Sequence, residues 1–232
     1  NNNSGAEIKI GDSSDSLDPS IGIYSSAVGS TITNNGTIET GISSVGIYND
    51  GGTVINDNAG VITAGNSGVG IYSTNGTVNL NTGSILNLGA NGTIGVYGIS
   101  SAVINSADID AKDHNYGFVI KNGSFTNNNG TNSVIGTDSV FMYSTEAATV
   151  QNNGNLTMTG SDNIGFYMAK DSVSGAGGGI ITNNGIITGT GGNNNVGIYN
   201  YGGTIDNYGT VTVGGSDIVF INGTTDIDAE NS

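Results

Sequence analysis

Side chains able to do acid–base, nucleophilic or metal chemistry are few. Of 232 residues, 19 are Asp or Glu, 4 are Lys or Arg, 1 is His and none is Cys. The densest group is Asp108, Asp110, Asp113 and His114, with Lys112 and Lys121 nearby. Carboxylates so spaced offer hard oxygens to a calcium ion, which makes these four the weak candidates for a metal site; the alternative is a solvated corner. Polysaccharide lyase or hydrolase chemistry needs a cationic base or convergent carboxylates, usually in a groove walled by long loops. A chain without Arg, with one His and no adjacent Asp pair is read as non-enzymatic, with no catalytic residue and no cofactor. The absence of Cys excludes disulfides and thiolate metal sites.

Tyrosine is the other chemically versatile side chain, and its spacing is regular. Val45-Gly46-Ile47-Tyr48 returns as Ile21-Gly22-Ile23-Tyr24, Val69-Gly70-Ile71-Tyr72, Ile94-Gly95-Val96-Tyr97, Ile164-Gly165-Phe166-Tyr167 and Val196-Gly197-Ile198-Tyr199. Degenerate copies are Tyr116-Gly117-Phe118-Val119, Val140-Phe141-Met142-Tyr143 and Ile218-Val219-Phe220-Ile221. The fourth residues fall at 24, 48, 72, 97, 119, 143, 167, 199 and 221. A period of about 24 residues is the signature of a stacked repeat.

Each period carries two further short apolar segments, as in Thr53-Val54-Ile55-Asn56 and Gly60-Val61-Ile62, separated by turns rich in Asn, Gly and Asp. Three strands of about four residues make one triangular coil that buries its apolar face only by stacking. The expected fold is therefore all-β: a three-sided, right-handed parallel β-helix of about nine coils, the hand following from the usual strand crossover. Residues 1–20 read as a polar N-terminal cap or flank, 21–225 as the β-helix and 226–232 as a polar tail.

Alternation along the strands predicts that Val45 and Ile47 point inward and Gly46 and Tyr48 outward, with the same pattern for Val69 with Ile71 and Val196 with Ile198. In the second strand it places Val54 inside together with Asn56. The column through Asn56 reads Asn34, Asn56, Leu80, Asn105, Asn127, Asn152, Asn183 and Asn207. An inward amide column requires each amide to hydrogen-bond along the stack, so these Asn residues are read as a structural ladder broken at Leu80.

Two features remain as ligand-binding candidates. One is the outward column Tyr24, Tyr48, Tyr72, Tyr97, Tyr143, Tyr167 and Tyr199, which either stabilises the sheet through aromatic pairs or offers flat faces to sugars or a partner protein. The other is an insertion of eight residues in the stretch 168–179, where Lys170, Asp171, Ser172, Val173 and Ser174 project from one face or form a tolerated loop. A formal net charge of −15 argues against nucleic acid and anionic membranes as partners and favours a soluble, monomeric rod. No apolar run reaches the ~18 residues needed to cross a bilayer, so direct membrane insertion is not expected.

The repeat from Val45-Gly46-Ile47-Tyr48-Asn49-Asp50-Gly51-Gly52-Thr53-Val54 through Gly65-Asn66-Ser67-Gly68-Val69-Gly70-Ile71-Tyr72 resembles the tandem units in passenger regions of large type V autotransporter adhesins, especially the fusobacterial ones. The resemblance covers about residues 21 to 221 and identifies no binding residue. It implies a secreted β-helix at the cell surface, tethered to the bacterial outer membrane through a barrel absent from this sequence. It also implies attachment to host-cell or bacterial glycans or proteins, with the chain serving as stalk, binding surface or both. The alternatives are a carbohydrate-active β-helix enzyme and a pure spacer.

Overall fold

The computed structural model describes residues 1–15, 17–146, 148–170, 178–214 and 216–223. Among these residues there are 25 strands and no helix, and every strand pair is parallel. The chain is a parallel β-helix. One wall is a nine-stranded sheet built from the Gly-Ile-Tyr strands, running from Ile21–Ser25 to Ile218–Gly223. The second has eight strands, from Thr31–Asn34 to Thr204–Asn207. The third consists of two four-stranded sheets joined by isolated bridges from Asn87 to Asp110 and from Asp110 to Val134.

These walls make eight complete turns rather than nine. The turns begin at Ile21, Val45, Val69, Ile94, Tyr116, Val140, Ile164 and Val196. The ninth copy of the motif, Ile218–Gly223, forms its strand, but the described residues supply no further wall after it. At the other end the segment read as a polar flank contributes a strand of its own, because Glu7–Ile10 pairs with Thr37–Thr40. Lys9 ties that pairing together, with its Nζ at 3.1 Å from Glu7 and 3.7 Å from Glu39. The tail 226–232 lies outside the described residues.

Short strands suffice because the corners are pinned by local chemistry. Between the third and first walls, Ser43, Ser67, Gly92, His114, Asp138, Asp162 and Asn194 all adopt positive φ, and Gly51, Asn75, Ser100, Asn122 and Gly202 do so between the first and second. Asn, Asp and Gly tolerate that region best, which accounts for their density in this sequence.

Ile47, Ile71, Val96, Phe118, Met142, Phe166 and Ile198, the third residues of the motif, form one side of the core with no more than trace exposure. They pack against Ile32, Val54, Val78, Val103, Phe125, Val150 and Ile181 of the second wall, and against Ile38, Ile62, Leu86, Leu156 and Ile187 of the third. Around the fifth to seventh turns the filling becomes aromatic, with the Phe118, Phe125, Phe141 and Phe166 rings 4.5 to 6.1 Å apart.

Simple alternation fails at the start of the motif. The sheet ladder pairs the first, third and fourth residues of successive turns and skips the second, as in Ile21 with Val45, Ile23 with Ile47 and Tyr24 with Tyr48. The second residue turns inward beside the third. Phe141, which replaces Gly there, is fully buried against Phe118 and Phe166. Glycine suits the place because a Cβ on Gly46 would meet the Gly70 carbonyl oxygen at 2.5 Å, and one on Gly95 the Gly117 carbonyl at 2.5 Å. The first residue consequently lies to one side of the core: Val45 and Val196 are buried but stand outside the central cluster, Val69, Val140 and Ile164 are partly exposed, and Val140, Ile164 and Val196 line an external trough. Val45 and Val196 are buried as expected, though outside the central cluster; the inward placement expected for Val69 and the outward one expected for Gly46 are corrected.

Candidate functional site

The asparagine column is continuous except where the sequence breaks it. Asn34 Nδ2 donates to Asn56 Oδ1 at 2.8 Å. Beyond Leu80, Asn105 donates to Asn127 at 2.8 Å, Asn127 to Asn152 at 2.8 Å, Asn152 to Asn183 at 2.7 Å and Asn183 to Asn207 at 2.8 Å. Asn2 extends the column by one place, donating to Asn34 at 2.8 Å. At the break Leu80 is buried, and Asn56 Nδ2 keeps only its bond to the Ile85 carbonyl at 3.1 Å, the counterpart of the one from Asn34 to the Val61 carbonyl. These amides are consumed by the stack, buried from Asn2 to Asn183 and exposed only at the terminal Asn207.

A second polar column lies at the corner just before the first wall. The backbone N–H of Asn115 donates to Ser139 Oγ at 3.1 Å, that of Ser139 to Asn163 Oδ1 at 3.0 Å, and that of Asn163 to Asn195 Oδ1 at 3.1 Å. Sequence reasoning passed over it. Its signal is the recurrence of Asn or Ser immediately before the motif, which is indistinguishable there from an ordinary turn residue.

The tyrosine column forms two stacks. Tyr24, Tyr48, Tyr72 and Tyr97 follow one another at centroid separations of 5.2, 5.1 and 5.2 Å, with planes inclined by 16°, 6° and 2°. Tyr143, Tyr167 and Tyr199 follow at 5.1 and 4.7 Å. Val119 occupies the place between, and Tyr116 leans edge-on against Tyr143 from the first position of its strand. Exposure falls from 63% at Tyr24 through half-buried rings to 0% at Tyr199. Stacking covers most ring faces with neighbouring rings, so the column presents mainly edges, not the flat faces expected for sugar binding. Burial, followed by the neighbouring Tyr97 and Tyr48, pushes the Tyr72 phenol above its usual pKa.

The charged group around Asp108 does not converge. Asp108 Oδ1 accepts the Asn132 N–H at 2.6 Å, Asp110 Oδ1 the Lys112 N–H at 3.1 Å, and Asp113 Oδ1 the Thr137 N–H at 2.7 Å, while His114 Nδ1 lies 3.0 Å from Asp138 Oδ2. Asp108 and Asp113 brace the following turn, Asp110 its own. Among the described residues no group of three His, Cys, Asp or Glu side chains could hold a metal ion. Of the insertion, Lys170 is exposed with its Nζ 5.5 Å from the Tyr201 ring centroid. Asp171, Ser172, Val173 and Ser174 lie outside the described residues.

What the structure does bring together is an open trough of about 610 Å³ along the first wall, spanning the fifth to eighth turns. Each turn contributes a residue from the left-handed corner and one from the first position of the motif, His114 and Tyr116 in the fifth turn, and the sixth and seventh add a tyrosine edge. In the sixth turn these are Asp138, Val140 and Tyr143; in the seventh, Asp162, Ile164 and Tyr167. The eighth adds Asn194 and Val196. Asn194 Nδ2 donates to Asp162 Oδ1 at 3.0 Å, so the corner rim is knit from turn to turn. The result is an aliphatic floor between a carboxylate and amide rim on one side and phenol edges on the other. No family model matches the chain, and neither does any curated protein or solved structure.

Proposed function

We propose that the chain is a passenger segment of an autotransporter adhesin, displayed at the bacterial surface and tethered to the outer membrane by a separate barrel. It works without catalysis, as a rigid stalk and as a binding surface for host-cell or bacterial glycans or proteins. The observation that carries this reading is the unbroken stack of eight turns bearing a surface trough on one wall. Reach grows with each added coil, and neighbouring contacts alone hold the rod together. The resemblance of the Gly-Ile-Tyr repeat to adhesin passenger units supports the same reading.

The test is attachment of fluorescent host cells and bacteria to the immobilised chain, with the soluble chain as competitor. Saturable attachment that the soluble chain displaces is expected; its absence from both cell types overturns the binding role. A second reading, a carbohydrate-active enzyme, is favoured by the two carboxylates of Asp138 and Asp162 on one rim of the trough. Polysaccharide turnover abolished by joint Asp138→Asn and Asp162→Asn substitution would select it.

A further inference from the structure

We propose that the trough binds a linear, uncharged oligosaccharide lying parallel to the rod axis, with about one sugar ring over each coil; this rests on the adhesin reading and names the ligand class of that surface.

The trough's cross-section matches a pyranose chain. The rings of an extended, equatorially linked glycan carry C–H groups on their faces and hydroxyls around their edges. The floor of Val140, Ile164 and Val196 suits the apolar faces, and the two rims suit the edges. On one rim the Asp138 and Asp162 carboxylates accept hydroxyl hydrogens, and carboxylate acceptors make the stronger hydrogen bonds. The other rim is formed by Tyr143 and Tyr167.

The repeat also fits. Corner and first-position residues recur once per coil, at the ~4.8 Å spacing of paired strands, and the sixth and seventh coils complete the set with a tyrosine rim. A ring of an extended β-1,4-linked glycan advances by about that height, whereas an extended peptide advances ~3.3 Å per residue and would fall out of step. From the fifth to the eighth turn the trough is three spacings long, roughly 14 Å, which sets a length of about three rings.

Charge narrows the class. None of the chain's four lysines lines the trough; its charged lining is Asp138, Asp162 and His114, whose Nδ1 lies 3.0 Å from Asp138 Oδ2. A sialylated or sulfated glycan would set its charge against Asp138 and Asp162 with no lysine to offset it and the His114 ring already engaged by Asp138. The left-handed corner explains why Ser, Gly, Asp or Asn stands at this place in every turn from the second to the eighth except the fifth, which has His114. It does not explain why carboxylates appear only in the sixth and seventh, since Ser43, Ser67 and Gly92 hold the same corner in earlier turns without them.

Binding of β-1,4-linked glucose and N-acetylglucosamine oligomers, from dimer to tetramer, is measured calorimetrically on the full chain, with sialyllactose and a sulfated oligosaccharide as anionic probes. Ile164→Arg fills the trough from its floor. Val69→Arg places the same side chain at the equivalent position of the third turn, outside the trough, and both variants are checked for an unchanged melting temperature. Affinity is expected to rise from dimer to trimer and then level off, and Ile164→Arg should weaken it at least tenfold while Val69→Arg leaves it unchanged. Equal loss or equal retention in the two variants overturns the placement, and anionic probes binding as tightly as neutral ones overturn the ligand class. If no oligosaccharide binds while cells still attach to the chain, the ligand class falls and the adhesin reading stands. If cells also fail to attach, both fall.

Discussion

The Ser84 hydroxyl is buried without a hydrogen-bond partner, and Leu80, four residues before it, stands where the partner belongs. In the fifth turn the equivalent hydroxyl, on Thr131, donates to Oδ1 of Asn127 at 3.1 Å. A single departure from the asparagine column thus leaves two marks, an interrupted ladder and an orphaned hydroxyl.

Leu80→Asn should repair both. The loss of buried Leu, about 2 kcal/mol, is offset by hydrogen bonds worth about 1 kcal/mol each, so stability should change by no more than about 1 kcal/mol. Asn127→Leu removes an acceptor and a donor from a fully buried column and should cost about 3 kcal/mol. Denaturant midpoints of the two variants compare them directly; equal costs would refute this account of the column.

Deleting residues 69–93 removes the third turn with Leu80 and joins Gly68 to Ile94, which follow the same path in the coil. Asn56 then meets Asn105. The shortened chain should fold and lose about 4.8 Å of length by small-angle scattering. Loss of β-sheet circular dichroism would show that turns are not interchangeable units.

Tyr72 couples stability to alkaline pH. Its phenol titrates higher in the folded chain than in the unfolded one. Below the unfolded value near 10 this has no effect on stability. As pH rises from there through the elevated folded value, the unfolded state loses the proton first and stability declines. Tyr72→Phe should flatten that decline in melting curves recorded across the alkaline range, and an unaltered slope would place its origin elsewhere.

Phe141 tests the inward turn of the second motif residue. Phe141→Ala should open a cavity among Phe118, Phe125 and Phe166 and cost about 3–5 kcal/mol. A cost below about 1 kcal/mol, the usual range of surface changes, would contradict its placement in the core.

The period, the parallel stacking and the amide column were legible because each follows from a residue type recurring at one spacing, as Asn105, Asn127 and Asn152 do. The displacement of the first motif residue out of the central cluster, as at Val69 and Ile164, was not. A bulge at glycine inverts the alternation expected of an ideal strand, and only the backbone approach of Gly46 to Gly70 reveals it. The trough was hidden for a different reason: Asp138 and Asp162 are 24 positions apart and each looks like a turn residue until the coils bring them onto one rim. The substitution of Val119 into the tyrosine column was visible in sequence, but the compensating lean of Tyr116 against Tyr143 depends on side-chain packing.

All six amide-to-amide bonds of the asparagine column hand their hydrogen in the same chain direction, from Asn2 toward Asn207. Aligned peptide units in a helix add into a macroscopic dipole, and a file of side-chain amides pointing one way does the same on a smaller scale. The file therefore adds to the net negative rod a small axial dipole whose positive pole lies toward the last turns. That axial polarity makes head and foot distinguishable to any ion or charged surface that meets them.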